Sequence, residues 1–248
     1  MPVIAETHCH SLASGHAYST IYENVQAAAR AGLRFLCATD HGPAMPGAGH
    51  PFFFDNIGNA VPDQLEGVVV LKGAEVNIMD YQGGLDLDAK LLEKLDWVIA
   101  SYHPVCIRSA STEEHTQGWL AVAENPLVDV IGHCGDGRYT FDLDRVIPAF
   151  AQNGKIVEIN AHSFSCRPGS PENCRKIALA CKRYRVPVVC SSDAHFFDQV
   201  GQVDPALSLL REVDFPEELI LNLDYERFLG VARQKSGRPL VDENGEGN

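Results

Sequence analysis

The sequence predicts an α/β fold, a closed or nearly closed barrel of parallel strands in a single domain. Short apolar runs alternate with amphipathic helical stretches, which is typical of parallel βαβ units. Seven such runs occur, and none is followed by the glycine fingerprint of a dinucleotide-binding sheet, so a barrel is favoured over a Rossmann sheet. The length of 248 residues is ordinary for one barrel domain.

The individual elements are predicted from apolar spacing and from turn and cap residues. Ser170 followed by Pro171 and Glu172, for example, marks a helix start. The polar, glycine-rich residues 242–248 predict a disordered tail, which leaves 1–241 as the domain. Strands are predicted over 2–7, 34–39, 68–73, 97–101, 128–132, 155–160 and 187–191, and helices over 21–31, 113–124, 143–152, 171–184, 203–213 and 225–234.

Composition narrows the functional classes. No apolar run approaches the ~20 residues of a membrane span. The N-terminus lacks the basic and apolar regions of a signal peptide, so we expect a cytoplasmic protein. The eight cysteines contain no C-x-x-C pair and are expected to be reduced core residues. The net charge of −13 disfavours nucleic acid as a partner, although bound divalent cations would reverse the potential locally.

Histidines and carboxylates follow nearly every predicted strand. The C-terminal ends of parallel barrel strands converge on one face, so we expect these side chains to meet. Histidine makes up only 10 of 248 residues, and its presence at five of seven strand ends argues against a chance scatter. In chain order the strand ends carry His8 and His10, Asp40 and His41, Glu75, His103, His133, Asn160 and His162, and Asp193 and His195.

This set of residue types predicts a metal site. Imidazole and carboxylate ligands without a thiolate cluster suit Zn²⁺, Mn²⁺ or Fe²⁺. Alternate residues of a strand point the same way, so His8 and His10 can bind one ion, and Asp193 and His195 repeat this pattern. With Glu75 and the other histidines, the ligands exceed what one tetrahedral ion uses, and a cluster of two or three ions follows.

The motifs at these strand ends resemble those of the PHP (polymerase and histidinol phosphatase) superfamily, most closely its stand-alone phosphatases of the YcdX type. The resemblance covers nearly the whole chain in order. It implies a distorted (β/α)7 TIM-like barrel and a phosphatase with three divalent ions, most often Zn²⁺, with Mn²⁺ or Fe²⁺ as alternatives. The matching segments are THCHS (7–11), SGHAYST (14–20), ATDHGP (38–43), GAEVN (73–77), His103, IGH (131–133), VEIN (157–160) and SSDAH (191–195).

The resemblance also implies how nine ligands divide among three ions. Glu75 would bridge the first ion to the second. The first ion would be held by His8, His10, Glu75 and Asp193, the second by Glu75, His103 and His133, and the third by His16, His41 and His195.

The sequence departs from the family pattern at three positions without losing a ligand. Glu6 stands where the family usually has Asp, and Cys134 where it usually has Pro. Pro104 follows His103 directly. These departures bear on the fine geometry of the site and on its metal preference.

The predicted reaction is hydrolysis of a small phosphorylated metabolite by a metal-bound hydroxide. Arg167, in the loop after the sixth strand, is predicted to bind phosphate, and Asn160 to orient water or phosphate. Asp40 is predicted to fix a histidine tautomer. The remaining polar and aromatic candidates are His50 as part of a lid, His115 as a solvated helix residue, His162 as a support or packing residue, and Tyr18 as a pocket-closing or packing residue.

Three other functions compete with that of a phosphomonoesterase. A phosphodiesterase or exonuclease is disfavoured because the chain shows no polymerase domain and no basic patch. Amidohydrolase chemistry would use a bridging lysine; Lys72 lies near the third strand's end, but Glu75 fits better. A metal-binding module without catalysis is disfavoured by the intact ligand set. The substrate, the metal and the oligomeric state stay open.

Overall fold

The computed structural model describes residues 2–237 and residue 240, and within them seven parallel strands form a nearly closed barrel surrounded by helices. The predicted distorted (β/α)7 barrel is therefore confirmed. The strands are β1 (Ala5–Cys9), β2 (Phe35–Ala38), β3 (Gln64–Leu65), β4 (Val68–Asn77), β5 (Trp97–Ser101), β6 (Val130–Ile131), β7 (Ile156–Asn160) and β8 (Val188–Ser191). The order around the barrel is β1-β2-β4-β5-β6-β7-β8, and β3 pairs antiparallel with β4 outside this path.

The helices lie outside the barrel or close its base, and side-chain caps fix several of their starts. Thr20 and Ser111 each form a reciprocal capping box with a glutamate three residues later, which satisfies otherwise free backbone N–H groups. The helices are α1 (Ile21–Arg30), α2 (Pro51–Ala60), α3 (Ala89–Leu92), α4 (Thr112–Glu124), α5 (Leu143–Gln152), α6 (Ser163–Cys166), α7 (Ser170–Tyr184), α8 (Asp204–Glu212) and α9 (Tyr225–Ser236).

A polar side chain bridges the seam between the first and last strands. At the upper end the His10 N–H donates directly to the Ala194 carbonyl at 2.8 Å. Lower down, the Asn222 amide donates to the carbonyls of Ala5 (3.0 Å) and Cys190 (2.7 Å), and its oxygen accepts from the Cys190 N–H at 3.1 Å. Asn222 thus supplies hydrogen bonds that a continuous ladder would otherwise provide.

The interior of the barrel is apolar at its base. The first residues of several strands, among them Ala5, Phe35 and Trp97, face inward and pack against α9. The Phe228 ring on α9 lies 5.0 Å from the Phe35 ring and 5.6 Å from the Trp97 ring, centroid to centroid. A second, larger apolar layer joins the outer faces of the strands to the surrounding helices. The base is sealed, and the opposite end is left for polar side chains.

All six predicted helices are confirmed, but several boundaries and short elements differ from the predictions. Strand β4 continues to Asn77, so Glu75 lies within the strand instead of after it. The predicted strand ended at Gly73, where the apolar run breaks. A Cβ there would lie 2.3 Å from the Trp97 carbonyl oxygen, so the close approach of β5 requires glycine. The elements β3, α2, α3 and α6 were not predicted.

Three sequence-based expectations concern the whole chain. The eight cysteines are free thiols, six of them buried, with Cys106 half-buried and Cys166 exposed. Within the described residues, no helix is long and apolar enough to cross a bilayer, and the cytoplasmic location stays a prediction. The predicted tail at 242–248 lies outside the described residues.

Candidate metal centre

The nine predicted ligands converge at the C-terminal mouth of the barrel. Seven are buried, whereas His195 is half-buried and His16 is exposed. Two of the nine have backbones in the left-handed region that non-glycine residues rarely adopt, His133 with φ 26° and Asp193 with φ 53°. Such conformations persist where surrounding contacts hold them, and they gather at functional sites. The His133 N–H donates to a Glu158 carboxylate oxygen at 2.6 Å.

Four side-chain atoms form the corners of a tetrahedron. The Nε2 atoms of His8 and His10 are 3.1 Å apart. From Glu75 Oε2 they lie at 3.3 and 3.6 Å, and from Asp193 Oδ1 at 3.5 and 3.1 Å. Bonds of ~2.0–2.2 Å from a central Zn²⁺ would separate tetrahedral ligands by about 3.3–3.5 Å. The five separations that involve His8 or His10 run from 3.1 to 3.6 Å, within about 0.2 Å of that range, so the four atoms could share one ion.

The other oxygen of Glu75 faces a second group. Glu75 Oε1 lies 2.8 Å from His133 Nε2 and 3.4 Å from His103 Nε2, and these two nitrogens are 3.2 Å apart. The three atoms form one face of a ligand polyhedron. The two oxygens of Glu75 thus face two different groups of imidazole nitrogens, a geometry compatible with the bridging role that the family resemblance implies.

The third group lies nearest the solvent. The Nε2 atoms of His16 and His195 are 3.0 Å apart, and the His41 ring stacks on the His16 ring with centroids 5.0 Å apart. His41 Nδ1 also lies 2.8 Å from Glu75 Oε2, which joins this group to the tetrahedral one. One combination of atoms able to hold an ion is His10, His41 and His195, whose ligand atoms all lie within 4.8 Å of one another.

The hydrogen-bond pattern fits cations at these positions. His16 Nδ1 donates to the Ser14 carbonyl (3.1 Å) and His195 Nδ1 to the Asp193 carbonyl (2.9 Å). In the neutral rings the two Nε2 atoms then face each other as lone pairs, an arrangement that a metal ion bound by both nitrogens would stabilise. Both ring nitrogens of His41 and Oε2 of Glu75 are buried without a hydrogen-bond partner in the described chain. His41 Nδ1 and Glu75 Oε2 are close to each other, but they do not form a hydrogen bond. Buried polar atoms without partners are costly, and a metal ion would satisfy them.

Glu158 is the largest omission of the sequence-based prediction. Its buried carboxylate accepts from His8 Nδ1 at 2.6 Å, from the Ser191 hydroxyl at 2.5 Å and from the His133 N–H. It therefore fixes the His8 tautomer and the loop that carries His133. A charged residue within the apolar run VEIN of β7 was the signal that could have identified it.

Asn77 plays the same part for His103. Its amide oxygen accepts from His103 Nδ1 at 2.7 Å, which leaves Nε2 free to face Glu75. The amide nitrogen of Asn77 donates to the Gly42 carbonyl at 3.1 Å and to Asp86, so the side chain cannot turn over without losing both bonds.

The electrostatics favour the metal-binding forms of Glu75, Asp193, His103 and His10. Burial raises the pKa of Glu75, but His8, His103 and His41 outweigh it and hold the pKa well below its usual value. Burial likewise opposes a low pKa for Asp193, and His8 leads the groups that lower it. Burial lowers the pKa of His103 and, more strongly, of His10, which keeps these imidazoles neutral. Ionised carboxylates and neutral imidazoles are the forms that ligate metals. His8 differs: burial opposes its charged form, but Glu158, Glu75 and Asp193 raise its pKa well above the usual value, so an ion would have to displace a proton there.

Both predicted support residues, Arg167 and Asn160, contact Asp193. The Arg167 guanidinium lies 3.2 Å from Asp193 Oδ2 and donates to the Ser163 hydroxyl at 2.8 Å. The Asn160 amide donates to the same Oδ2 at 3.0 Å. The other oxygen, Oδ1, faces His8 and His10, so Asp193 is held in the orientation that the tetrahedral group needs.

Other predicted residues have varied positions. His115, expected to be solvated, is buried: its Nδ1 donates to the Thr140 carbonyl and its Nε2 accepts from the Ala110 N–H, both at 2.9 Å. The prediction was wrong because both ring nitrogens find backbone partners, which makes burial inexpensive.

Of the remaining three, His162 is exposed, with its ring 6.3 Å from that of His195. Tyr18 is 70% exposed and therefore does not pack. His50 is exposed and caps α2, in the region predicted to be a loop. The Gly/Pro-rich flanks concealed this helix.

The position of Lys72 argues against the amidohydrolase alternative. Its buried amine pairs with Asp63. Lys72 and Glu75 are three positions apart on β4, so their side chains lie on opposite faces of the strand, and Glu75 is the one that points into the barrel. The lysine that amidohydrolase chemistry would place between two ions therefore lies outside the metal centre.

Comparisons with known proteins agree with this architecture. The PHP domain model matches residues 6–162. A protein of Acetivibrio thermocellus named "Probable phosphatase" is 44% identical over 238 residues, covering 96% of this chain and 98% of the relative. A probable phosphatase of Thermoanaerobacter sp. is 44% identical over 237 residues, covering 95% and 96%.

Two solved structures share the fold. Histidinol phosphate phosphatase from Lactococcus lactis, complexed with zinc, L-histidinol and phosphate, superposes with a TM-score of 0.63 at 17% identity, covering 87% of this chain and 95% of its own. A histidinol phosphatase structure from Listeria monocytogenes gives a TM-score of 0.57 at 16% identity, covering 80% and 97%. At these identities the likeness extends to the fold alone.

Proposed function

The chain belongs to the PHP domain family, and from this membership and the geometry of the mouth we propose that it is a metal-dependent phosphomonoesterase. The substrate is a small phosphorylated metabolite, hydrolysed at a site of three divalent ions. One observation carries the proposal: Glu75 presents one oxygen to a tetrahedral set of donors and the other to a second set. Two ions that share a ligand in this way hold a phosphate ester and its attacking water together.

The proposed ligands follow the three groups of atoms. The donor set is rich in imidazole, has two carboxylates and lacks thiolates, which suits Zn²⁺ and also accommodates Mn²⁺ or Fe²⁺. The zinc in the Lactococcus lactis structure supports the first choice. The first ion takes His8, His10, Glu75 and Asp193, the second Glu75, His103 and His133, and the third His16, His41 and His195.

When bound, such ions polarise a phosphoryl oxygen and lower the pKa of a water to about 7. The chain's own residues then bind and orient the ester. The Arg167 side chain is 12% exposed at the mouth, and its guanidinium can donate to phosphate oxygens while it stays anchored to Ser163. Asn160, anchored between Asp193 and the Ser163 N–H, holds the ligand carboxylate at a fixed angle.

Charge supports a small monoester over a nucleic acid. Three divalent ions with two carboxylate ligands leave a strongly positive centre within a chain of net charge −13. A compact phosphate dianion would interact mainly with such a centre, whereas a long polyanionic strand would also be repelled by the net negative charge of the chain. The phosphate and L-histidinol bound by the Lactococcus lactis protein support a small phosphate ester of this type.

The proposal is tested by elemental analysis of the purified protein, followed by turnover of p-nitrophenyl phosphate and bis-p-nitrophenyl phosphate. We expect bound divalent metal and hydrolysis of the monoester with little hydrolysis of the diester. Turnover of the diester alone would favour the phosphodiesterase. Stoichiometric metal without turnover of either ester, or of a panel of phosphorylated metabolites, would favour a metal-binding module.

A further inference from the structure

One buried serine touches three of the nine proposed ligands. Ser14 ends a short 3-10 helix, Leu12–Ser14, and is fully buried. Its hydroxyl lies 3.0 Å from His10 Nδ1 and 3.0 Å from the backbone nitrogen of His41. Its carbonyl accepts from His16 Nδ1 at 3.1 Å. His10 belongs to the proposed first ion, and His41 and His16 belong to the third.

The direction of each hydrogen bond follows from counting protons. The Ser14 hydroxyl has one proton, and its 2.6 Å contact with Asp40 Oδ1 takes it, because a carboxylate only accepts. Toward the His41 N–H the hydroxyl must accept. Toward His10 Nδ1 it must accept as well, so that Nδ1 carries the proton of the neutral ring. His10 Nε2 is then a lone pair 3.1 Å from His8 Nε2 and 3.1 Å from Asp193 Oδ1. The carboxylate also only accepts, so a cation, not a hydrogen bond, would join these two atoms.

The Asp40 carboxylate is held in place by Ser11, so the hydrogen bond from the Ser14 hydroxyl to Asp40 keeps its direction. Its Oδ1 accepts from the Ser11 N–H at 2.7 Å, and its Oδ2 accepts from the Ser11 hydroxyl at 2.7 Å. The backbone between Ser14 and His16 turns through Gly15 at φ 74°, and a Cβ on Gly15 would lie 2.4 Å from the Gly47 carbonyl oxygen. The loop that carries His16 is therefore held against the loop that follows His41.

We propose that Ser14, directed by Asp40, is a positioning residue that couples the first ion to the third. This inference rests on the proposed ligand assignment. Through its hydroxyl, Ser14 sets the His10 tautomer for the first ion; through its carbonyl it sets the His16 tautomer for the third. Its contact with the His41 N–H holds the backbone of a further ligand of the third ion. Loss of the hydroxyl disturbs both ions at once, although Ser14 binds neither.

The direct test is the tautomer of His10 in the metal-free protein, read from ¹⁵N-labelled imidazole by nuclear magnetic resonance. We expect the Nδ1–H form in the wild type and a mixture of tautomers in Ser14→Ala. The matched control is Ser208→Ala, at an exposed position of α8, and it should give the wild-type spectrum for His10. A wild-type His10 in the Nε2–H form would overturn the inference, and this reading needs no variant to fold.

Metal content gives the second readout. We expect Ser14→Ala to weaken zinc binding about 10–100-fold at sites that include the third ion, the usual effect of removing such a support. Asp40→Asn retains the tautomer signal, because its amide oxygen can accept from Ser14 while its nitrogen donates to the Ser11 hydroxyl; Asp40→Leu loses it. Wild-type zinc affinity and tautomer in both Ser14→Ala and Asp40→Leu would refute the coupling.

The two proposals fail in distinguishable ways. A wild-type protein that binds no divalent metal and hydrolyses no phosphate ester contradicts the proposed function. A wild-type protein that binds metal and hydrolyses esters, with Ser14→Ala unchanged in zinc affinity and tautomer, contradicts only the role of Ser14.

Discussion

The two ends of the barrel are built from the same strands and are opposite in chemistry. At the base, inward-facing Phe35, Trp97 and Val189 pack against Phe228 and Leu229 of α9. At the mouth, four to six residues further along these strands, the chain carries His41, His103 and Asp193, which are also buried. At the base, burial of apolar side chains stabilises the fold without any hydrogen-bond or metal partner. Buried polar atoms at the mouth are stable only with partners, and some lack one in the described chain.

We expect the apolar base of the barrel to determine mainly the stability of the fold, and the polar mouth to determine metal binding and turnover. Changes at the base are expected to alter the free energy of unfolding and spare the metals. Changes at the mouth are expected to alter metal content and turnover, with smaller effects on folding. Each of the following predictions tests one side of that division.

The largest effect is expected from Glu75→Gln. An amide cannot give a negatively charged oxygen to each of two ions, so the first and second ions lose their shared ligand. We expect kcat/KM to fall by more than about 10³-fold together with metal content. Glu172→Gln on the exposed start of α7 is the matched control and should behave as wild type. Full activity in Glu75→Gln would refute the shared-ligand geometry.

Phe228→Ala tests the base. The ring is fully buried between Phe35 and Trp97, so truncation leaves a cavity. We expect the free energy of unfolding, measured by denaturant titration, to fall by about 3–5 kcal/mol. Metal per folded chain should stay at the wild-type value. Loss of metal from the folded variant would show that the two ends are not independent.

Arg167→Lys tests substrate binding at the mouth. Lysine keeps the charge but loses the planar pair of donors that matches phosphate. We expect kcat/KM for a phosphomonoester to fall about 10–100-fold, mainly through KM. Arg138→Lys is the comparison and should lose less, because the Arg138 guanidinium pairs with Asp136, which is not a proposed ligand, whereas Arg167 pairs with the proposed ligand Asp193. An equal fall in kcat/KM in both variants would contradict a specific role of Arg167 in binding phosphate.

A pH effect is expected at the base. Lys155 is buried and donates to the carbonyls of Val128 and Asn125. Burial and then Lys235 lower its pKa from 10.5 to about 8. Between these values the unfolded chain binds more protons than the folded one, so the free energy of unfolding rises with pH.

Lys155→Met should abolish this rise, which amounts to at most about 1.4 kcal/mol per pH unit. Denaturant titrations between about pH 7.5 and 9.5 measure it. An identical pH slope in wild type and Lys155→Met would contradict the lowered pKa. Phosphatase activity of the variant at neutral pH should equal that of wild type.

The sequence predicted the barrel and the convergence of the histidines and carboxylates at the strand ends because both depend on simple periodicity and on where strands end. His16 follows no predicted strand and was identified only through the family resemblance. It missed Glu158, Asn77 and Ser14 for a physical reason. Each of them lies 2.6–3.0 Å from a histidine ring nitrogen. The charge of Glu158 within an apolar run marked that residue, but no local pattern identifies which ring each of the three contacts. The misplaced end of β4 and the buried His115 have the same origin, since neighbours far along the chain decide both.

The central claim is that three groups of side chains at the mouth hold three cations. Anomalous diffraction at the zinc edge, from crystals of the full chain grown with zinc, measures this most directly. We expect three peaks, the first among His8, His10, Glu75 and Asp193, the second beside His103 and His133, and the third beside His16, His41 and His195. A map with no peak at the mouth, in a protein that still hydrolyses phosphate esters, would contradict it.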